Sequence, residues 1–348
     1  MSSEPAAVEG VDLDALRAWM DDQGLGDGPL GDVTPITGGT QNVLVRFERA
    51  GRHYVLRRPP LHKRSNSDET MRREARVLAA LAGSDVPHPG LIAAEPDVEV
   101  LGASFYLMEP VEGFNPSLGL PEPHRSDPDL RRRMGLSLVD GAAALGRVDH
   151  DDVGLGDLGH VDGYLERQVG RWRSQLESYA EIAPDWTADI PGVDGVGEWL
   201  DSNRPLTFSP GVIHGDLHTA NVLYRRDGPE LAAIVDWELT TVGDPLVDLG
   251  LTVAFRTMDP EGGLGPGGDL YPDFPSVAEL VDRYADGSTR DVSSYPWYGV
   301  LACYKTGIIL EGTRARAMAG KAPMIVGDQL HAVTLSLFRR ARVLMAEA

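Results

Sequence analysis

Apolar residues recur along this chain at two spacings, one suited to helices and one to strands. Val11, Leu13, Leu16, Trp19 and Met20 fall on one helical face, and the GLGDGPLGD that follows reads as a loop. The runs ITGGTQNVLVRFER and HYVLRR look extended, and their short connection at Ala50-Gly51-Arg52 predicts a β-hairpin with glycines at its start. Asn66 with Glu69 three residues on has the form of a capping box, and Met71, Ala75, Leu78 and Leu81 keep helical spacing, which predicts a helix over 67–82. Val86-Pro87-His88-Pro89 ends it, and the runs LIAAEP and ASFYLMEPVEGF predict two more strands. The first hundred or so residues thus predict an N-terminal helix and a small sheet with one helix inserted.

From Asp127 the periods lengthen. Leu130, Met134, Leu138 and Ala142 form one face, and Tyr164, Leu165, Val169, Trp172 and Leu176 another. VIHGDLHTANVLYRR, a turn at Asp227-Gly228 and LAAIVDWE predict a strand pair with polar residues in its loop. The stretches 275–287, 292–318 and 328–347 are again helical, whereas 258–275 is rich in Gly and Pro and reads as a mobile insertion. No internal repeat is present. The expected division is an N-terminal lobe over 1–110 and a larger, mainly helical one over 111–348.

Composition narrows the partners. Of 348 residues, 42% are hydrophobic and 24% charged, the balance of a folded protein. The net charge of −21 supplies no basic field for nucleic acid. The start MSSEPAAVEG has no apolar signal core and no uncharged apolar run reaches membrane-spanning length, so no membrane is expected and the cytoplasm is the expected location. One cysteine, Cys303, excludes an internal disulfide and a cysteine zinc site. The only lysines are Lys63, Lys305 and Lys321, so nearly all positive charge is arginine.

The densest chemistry is His214-Gly215-Asp216-Leu217-His218-Thr219-Ala220-Asn221, with Asp236 at a following strand end. Phosphoryl transfer needs a carboxylate to orient a hydroxyl, and an amide oxygen and second carboxylate to hold Mg²⁺ between phosphates. Asp216, Asn221 and Asp236 supply those groups at the spacing of a kinase catalytic loop and its metal-binding Asp. An Asx-rich turn is the alternative for any one of them alone.

These motifs resemble the aminoglycoside phosphotransferase-like kinases, whose HGDxxxxN loop and subsequent Asp stand here as HGDLHTAN and IVDWE, and the likeness extends over nearly the whole chain. YVLRRPP, GDLHTANVL and DWELTTVGDPLVDLG are similar to the subgroup related to kinase domains attached to acyl-CoA dehydrogenases, which act on hydroxyacyl thioesters. The resemblance implies an α+β, protein-kinase-like bilobal fold. In such a fold a small antiparallel-sheet lobe with one helix is expected to precede a mainly helical lobe, with ATP expected between them and the acceptor expected against C-terminal helices. It implies ATP and Mg²⁺ as cofactors and a small-molecule hydroxyl as acceptor, with a hydroxyacyl-CoA or related metabolite preferred. Aminoglycoside phosphorylation and a nucleotide-binding pseudokinase are the alternatives. Asp216 becomes the base, Asn221 and Asp236 the Mg²⁺ ligands, and His214 a support of the loop.

Other positions are less determined. His218 stands two after the base, where many kinases place a lysine toward the γ-phosphate; a protonated phosphate contact and a structural hydrogen bond are both open. Gly38 and Gly39 open the hairpin and would let backbone approach phosphates, with Thr40 and Asn42 as polar contacts; a plain turn is the alternative. The third strand departs from the kinase pattern, with Arg57 and Arg58 where a lysine is usual. Arg57 fits by register, and Glu74 is its expected partner; an edge-strand arginine beside an ordinary helical glutamate is the other reading. The backbone around Glu109 and Val111 is the expected adenine hinge. Asp244 is expected to cap a helix beginning at Pro245, and with Asp248 to serve as scaffold. Glu238 either reaches the substrate or braces the loop, and Glu311 either meets the acceptor or is paired inside its helix bundle.

Overall fold

The computed structural model describes residues 8, 10–36, 42–256 and 273–348. Within them the chain divides into two compact units, Met1–Glu112 with Val235–Glu238, and Gly113–Ile234 with Leu239–Ala348.

The first unit opens with helix α1 (Leu13–Asp22), started by Asp12, whose carboxylate accepts from the backbone N–H of Asp14 and Ala15. A five-stranded antiparallel sheet follows: β1 (Gly31–Pro35), β2 (Val43–Arg49), β3 (Arg52–Arg58), β4 (Leu91–Glu95) and β5 (Phe105–Met108), in the order β1-β2-β3-β5-β4. Helix α2 (Ser67–Ala80) lies between β3 and β4 in the chain. Alternation along β2 sends Val45 and Phe47 inward, where Leu16, Trp19 and Met20 of α1 meet them in one apolar core with Leu56, Phe105 and Leu107. Each such buried side chain contributes about 1.5–3 kcal/mol. Trp19 closes edge-on against Phe105 at 4.8 Å, and its indole N–H donates to Glu95 at 2.6 Å. The expected capping box at α2 does not form. Asn66 makes no side-chain cap bond, and its carbonyl instead accepts from the Thr70 hydroxyl.

The second unit contains α3 (Pro128–Gly146), α4 (Glu166–Glu177), α5 (Tyr179–Ile182), α6 (Val193–Ser202), α7 (Leu246–Arg256), α8 (Val277–Asp286), α9 (Tyr295–Met318) and α10 (Met324–Glu347). Four short strands, β6 (Gly211–Ile213), β7 (Val222–Tyr224), β8 (Leu231–Ile234) and β9 (Thr241–Gly243), form two separate ladders. β7 pairs with β8 across the Asp227-Gly228 turn as expected. β6 pairs with β9, so the polar loop at 214–221 runs from one ladder to the other and is not the turn of a hairpin. Helix α9 carries buried residues on all sides, which suits a helix packed against α4, α5, α6, α7 and α10. Its neighbour α8 carries the capping box the sequence was expected to place elsewhere: Ser276 and Glu279 satisfy each other's backbone N–H groups. Most of the 258–275 stretch lies outside the described residues. Among the described residues no helix is long and apolar enough to cross a membrane.

Candidate active site

Two side-chain clusters carry the chemistry, one in each unit. In the second unit, the loop between β6 and β7 is held from below by Asp248, at the start of α7. Its two carboxylate oxygens accept from the backbone N–H of His214 at 2.8 Å and of Gly215 at 2.9 Å. Gly215 has φ 85° and brings its Cα against the Leu239 carbonyl, where a Cβ would sit at 2.7 Å, so glycine is required at this bend. His214 is wholly buried, and its Nδ1 accepts from the Asp216 N–H at 3.2 Å.

That bend turns Asp216 into a ring of donors. Asn221 Nδ2 donates both to the Asp216 backbone carbonyl at 2.9 Å and to its Oδ2 at 3.0 Å. His218 Nδ1 accepts from the Ala220 N–H at 3.2 Å, which leaves the proton on Nε2, 3.4 Å from Asp216 Oδ2. Burial acts to raise the Asp216 carboxyl, but the bond and field of His218, with Lys305 and His214, outweigh it and hold the group below its ordinary value. Asp216 is therefore an ionised carboxylate at neutral pH. Since Asn221 gives its amide N–H₂ to Asp216, its Oδ1 is the atom left to offer a cation.

In the first unit, β3 register places Arg57 opposite Leu44 on one side and Tyr106 on the other, facing α2. Arg57 Nε lies 2.8 Å from Glu74 Oε2 and its Nη2 donates to Glu74 Oε1 at 3.1 Å, a two-point grip on a fully buried carboxylate. The same Nη2 donates to Asp236 Oδ1 at 2.7 Å. Tyr106, directly opposite Arg57 on the adjacent strand β5, gives its hydroxyl to Glu74 Oε2 at 2.8 Å. Burial by itself would lower the Arg57 pKa, but Glu74, Tyr106 and Asp236 outweigh it and raise it, so Arg57 is always charged. Asp236 sits at φ 69°, a left-handed conformation that aspartate tolerates better than most residues and that redirects the strand exit at β8. Carboxylate oxygens of Glu74, Asp236 and Glu238 lie within 4.8 Å of one another. Glu74 is committed to Arg57 and Tyr106, whereas Asp236 is 38% exposed and presents the hard oxygen donor that Mg²⁺ requires.

Of the two strand arginines, it is Arg57 that pairs with Glu74. Arg58 instead turns to the Pro59 carbonyl. Gly38, Gly39 and Thr40 lie outside the described residues, and Asn42 stands at the entry to β2. At the expected hinge, the Glu109 N–H is engaged by the Gly90 carbonyl at 2.8 Å and its carboxylate by Arg52 at 3.1 Å, while Val111 is half-buried. Glu238, half-buried, is placed beside Asp236 in the first unit. Glu311 is a correction. It is fully buried, its oxygens taken by the Trp186 indole at 3.0 Å and His331 Nδ1 at 2.7 Å, so it presents no face to an acceptor. Asp244 caps α7 through the Leu246 N–H at 3.0 Å. Tyr106 escaped sequence reasoning because a buried tyrosine in a strand reads as core. Lys305 escaped because its partner, the Gly215 carbonyl, is ninety residues away.

A five-stranded antiparallel sheet with one inserted helix, followed by a mainly helical unit that carries an Asp/Asn loop, is the kinase-like α+β architecture. Comparison with known proteins agrees. The phosphotransferase enzyme family model matches residues 32–288, and the chain belongs to that family, whose members transfer phosphoryl groups to alcohols. A Ralstonia eutropha protein provisionally assigned as an aminoglycoside phosphotransferase superposes with a TM-score of 0.76 at 27% identity, covering 95% of this chain and 98% of that one. The GDP complex of aminoglycoside 2′-phosphotransferase-IIIa superposes with a TM-score of 0.61 at 14% identity, covering 96% and 99%, a likeness of fold. Acyl-CoA dehydrogenase family member 11 of Gallus gallus is 29% identical over 301 residues, 83% of this chain. The match takes in 37% of that relative, so the chain spans little more than a third of its length.

Proposed function

We propose that the protein is an ATP- and Mg²⁺-dependent small-molecule kinase that transfers the γ-phosphoryl group to the hydroxyl of a metabolite, with a hydroxyacyl thioester or related compound as acceptor. The observation that carries this reading is the Asp216 carboxylate, ionised and oriented by Asn221 and His218 on a loop clamped by Asp248. A carboxylate so held accepts the hydrogen bond of an incoming hydroxyl and takes its proton as the new P–O bond forms and the bond to the departing diphosphate breaks. Asn221 Oδ1 and the Asp236 carboxylate are the oxygens that would hold Mg²⁺, which supplies neutralisation of charge on the phosphate oxygens. Arg57, kept charged and aimed by Glu74, is the cation for the α and β phosphates in place of the usual lysine. The GDP found with one structural relative and the acyl-CoA dehydrogenase context of another support a nucleotide donor and an acyl-bearing acceptor respectively. The protein's location by this reading is the cytoplasm.

The test is Asp216→Asn. It keeps the shape of the loop but removes the acceptor of the proton, so transfer should fall by about 100-fold or more, on the scale of a lost general base. Nucleotide affinity, read by calorimetry, should be retained. Turnover near that of the parent in a folded variant would remove Asp216 from the mechanism.

A further inference from the structure

Beside the loop that carries Asp216, the second unit has a cavity of about 140 Å³, open on one side, between α4, β6, α7 and α9. Its wall is largely apolar, with Trp172, Leu251, Leu301 and Ile309 among the lining side chains, and its charged members are Lys305 and Arg171. No carboxylate lines it among the described residues. Lys305 projects from α9, donates to the Gly215 carbonyl at 2.6 Å and lies 5.8 Å from the centre of the Trp172 ring. An ammonium has three protons to give, and no second acceptor meets this one among the described residues. Burial lowers the Lys305 pKa, while the fields of Asp216 and Asp248 act to keep the proton on.

We propose that this cavity is the acceptor subsite, and that Lys305 determines specificity by holding an acyl oxygen of an otherwise apolar acceptor. The inference rests on the kinase reading above for the word acceptor, and it adds the residue and the chemistry that select the molecule. Cavities near 150 Å³ hold about six heavy atoms, so the segment held inside is a chain of about four to six carbons. An acyl group of that size buries its hydrocarbon against Trp172, Leu251 and Leu301 and turns its oxygen to Lys305, which is anchored on the carbonyl of Gly215, the residue before the base. A polycationic amino sugar meets the reverse: an apolar wall and two like charges, with no carboxylate in the lining to receive an ammonium.

The acyl oxygen can belong to a free carboxylate or to an esterified carbonyl, and small probes separate these sources. Pentanoate, pentanamide and pentylammonium are titrated calorimetrically against the full chain without nucleotide. Pentanoate should bind and pentylammonium should not. Pentanamide matching pentanoate identifies an esterified carbonyl as the oxygen held, whereas a clear preference for pentanoate identifies a carboxylate. Lys305→Met should weaken the acyl probes about tenfold or more, the scale of a charged hydrogen bond, and Lys305→Gln should restore part of the pentanamide affinity. Ile309→Glu, at a 40% exposed position on the cavity wall, should depress pentanoate and admit pentylammonium without disturbing the core. Pentylammonium binding as tightly as pentanoate in the parent, acyl affinity unchanged in Lys305→Met, or no effect of Ile309→Glu would each overturn the assignment. Because these titrations need neither nucleotide nor turnover, they stand or fall apart from the Asp216→Asn assay.

Discussion

Arg57 concentrates the energetics of the first unit in one side chain. It reaches Glu74 twice and Asp236 once, and the carboxylate it grips has no exposure at all. Replacing Arg57 by alanine strands a buried charge with only the Tyr106 hydroxyl for company, which costs about 3–5 kcal/mol. Arg57→Ala should therefore lower thermal stability as well as ATP affinity and transfer rate. Arg57→Lys, which keeps the charge but not the two-point grip, should keep part of all three. Glu74→Gln removes the charge yet retains an acceptor for Tyr106 and leaves Arg57 on Asp236, so its defect should be smaller. The two lesions act through one contact, and a double-mutant cycle should show Arg57→Ala and Glu74→Gln combining to less than their sum, with coupling of about 0.5–3 kcal/mol. Full additivity in denaturant unfolding, or a silent Arg57→Ala beside a crippling Arg58→Ala, would contradict the arrangement.

At the scale of elements, α7 ties the loop to the helices behind it. Its first turn supplies Asp248 to the backbone of His214 and Gly215, and one turn on its backbone lies directly against α9. Gly250 permits that approach: a Cβ there would sit 2.4 Å from the Tyr298 carbonyl oxygen. Helix propensity alone says that Gly250→Ala should stabilise α7 by about 1 kcal/mol. The obstacle is backbone on an opposing helix and cannot swing aside, so the steric term wins. Gly250→Ala should destabilise by about 3 kcal/mol or more in urea unfolding, the upper range of overpacking. Periodicity located these helices well, and it located their caps poorly. Ser/Asn followed by Glu occurs at both α2 and α8, but a box forms only where the backbone before the helix is extended. Ser276 has ψ 161°, whereas Asn66 has ψ 5° and its side chain makes no cap bond.

Across the molecule, the single cysteine reports on the integrity of the larger unit. Cys303 lies in α9 with no exposed surface, and burial pushes its thiol up to about 12. In the native protein it should be inert to a disulfide-exchange reagent at pH 8, where a free thiol reacts readily. Labelling should begin only as α9 opens, so its rate in rising urea should follow the loss of helical circular dichroism. Fast labelling of one thiol per chain in the absence of denaturant would show that α9 opens on its own.

What the amino-acid sequence determined by itself was whatever depends on near neighbours in the chain. The two-part order of elements follows from hydrophobic period, and the grouping of His214, Asp216, His218 and Asn221 follows from their lying on one eight-residue loop. Arg57 with Glu74 was legible as well, because one strand, one turn and one helix of ordinary length separate them. The tertiary structure decided what covers each face. Helical spacing puts Glu311 on the same side of α9 as Ile308, but only the packing of Trp186 and His331 over it shows a buried, satisfied carboxylate. The strand alternation that makes Tyr106 inward-facing does not say that its hydroxyl ends on Glu74. The same holds for β6, which skips the nearby β7 to pair with β9, and for Lys305, brought under Gly215 from ninety residues away. Contacts over such separations are set by the closure of long loops and by the shapes of the surfaces that meet, and neither is written in the local period of the chain.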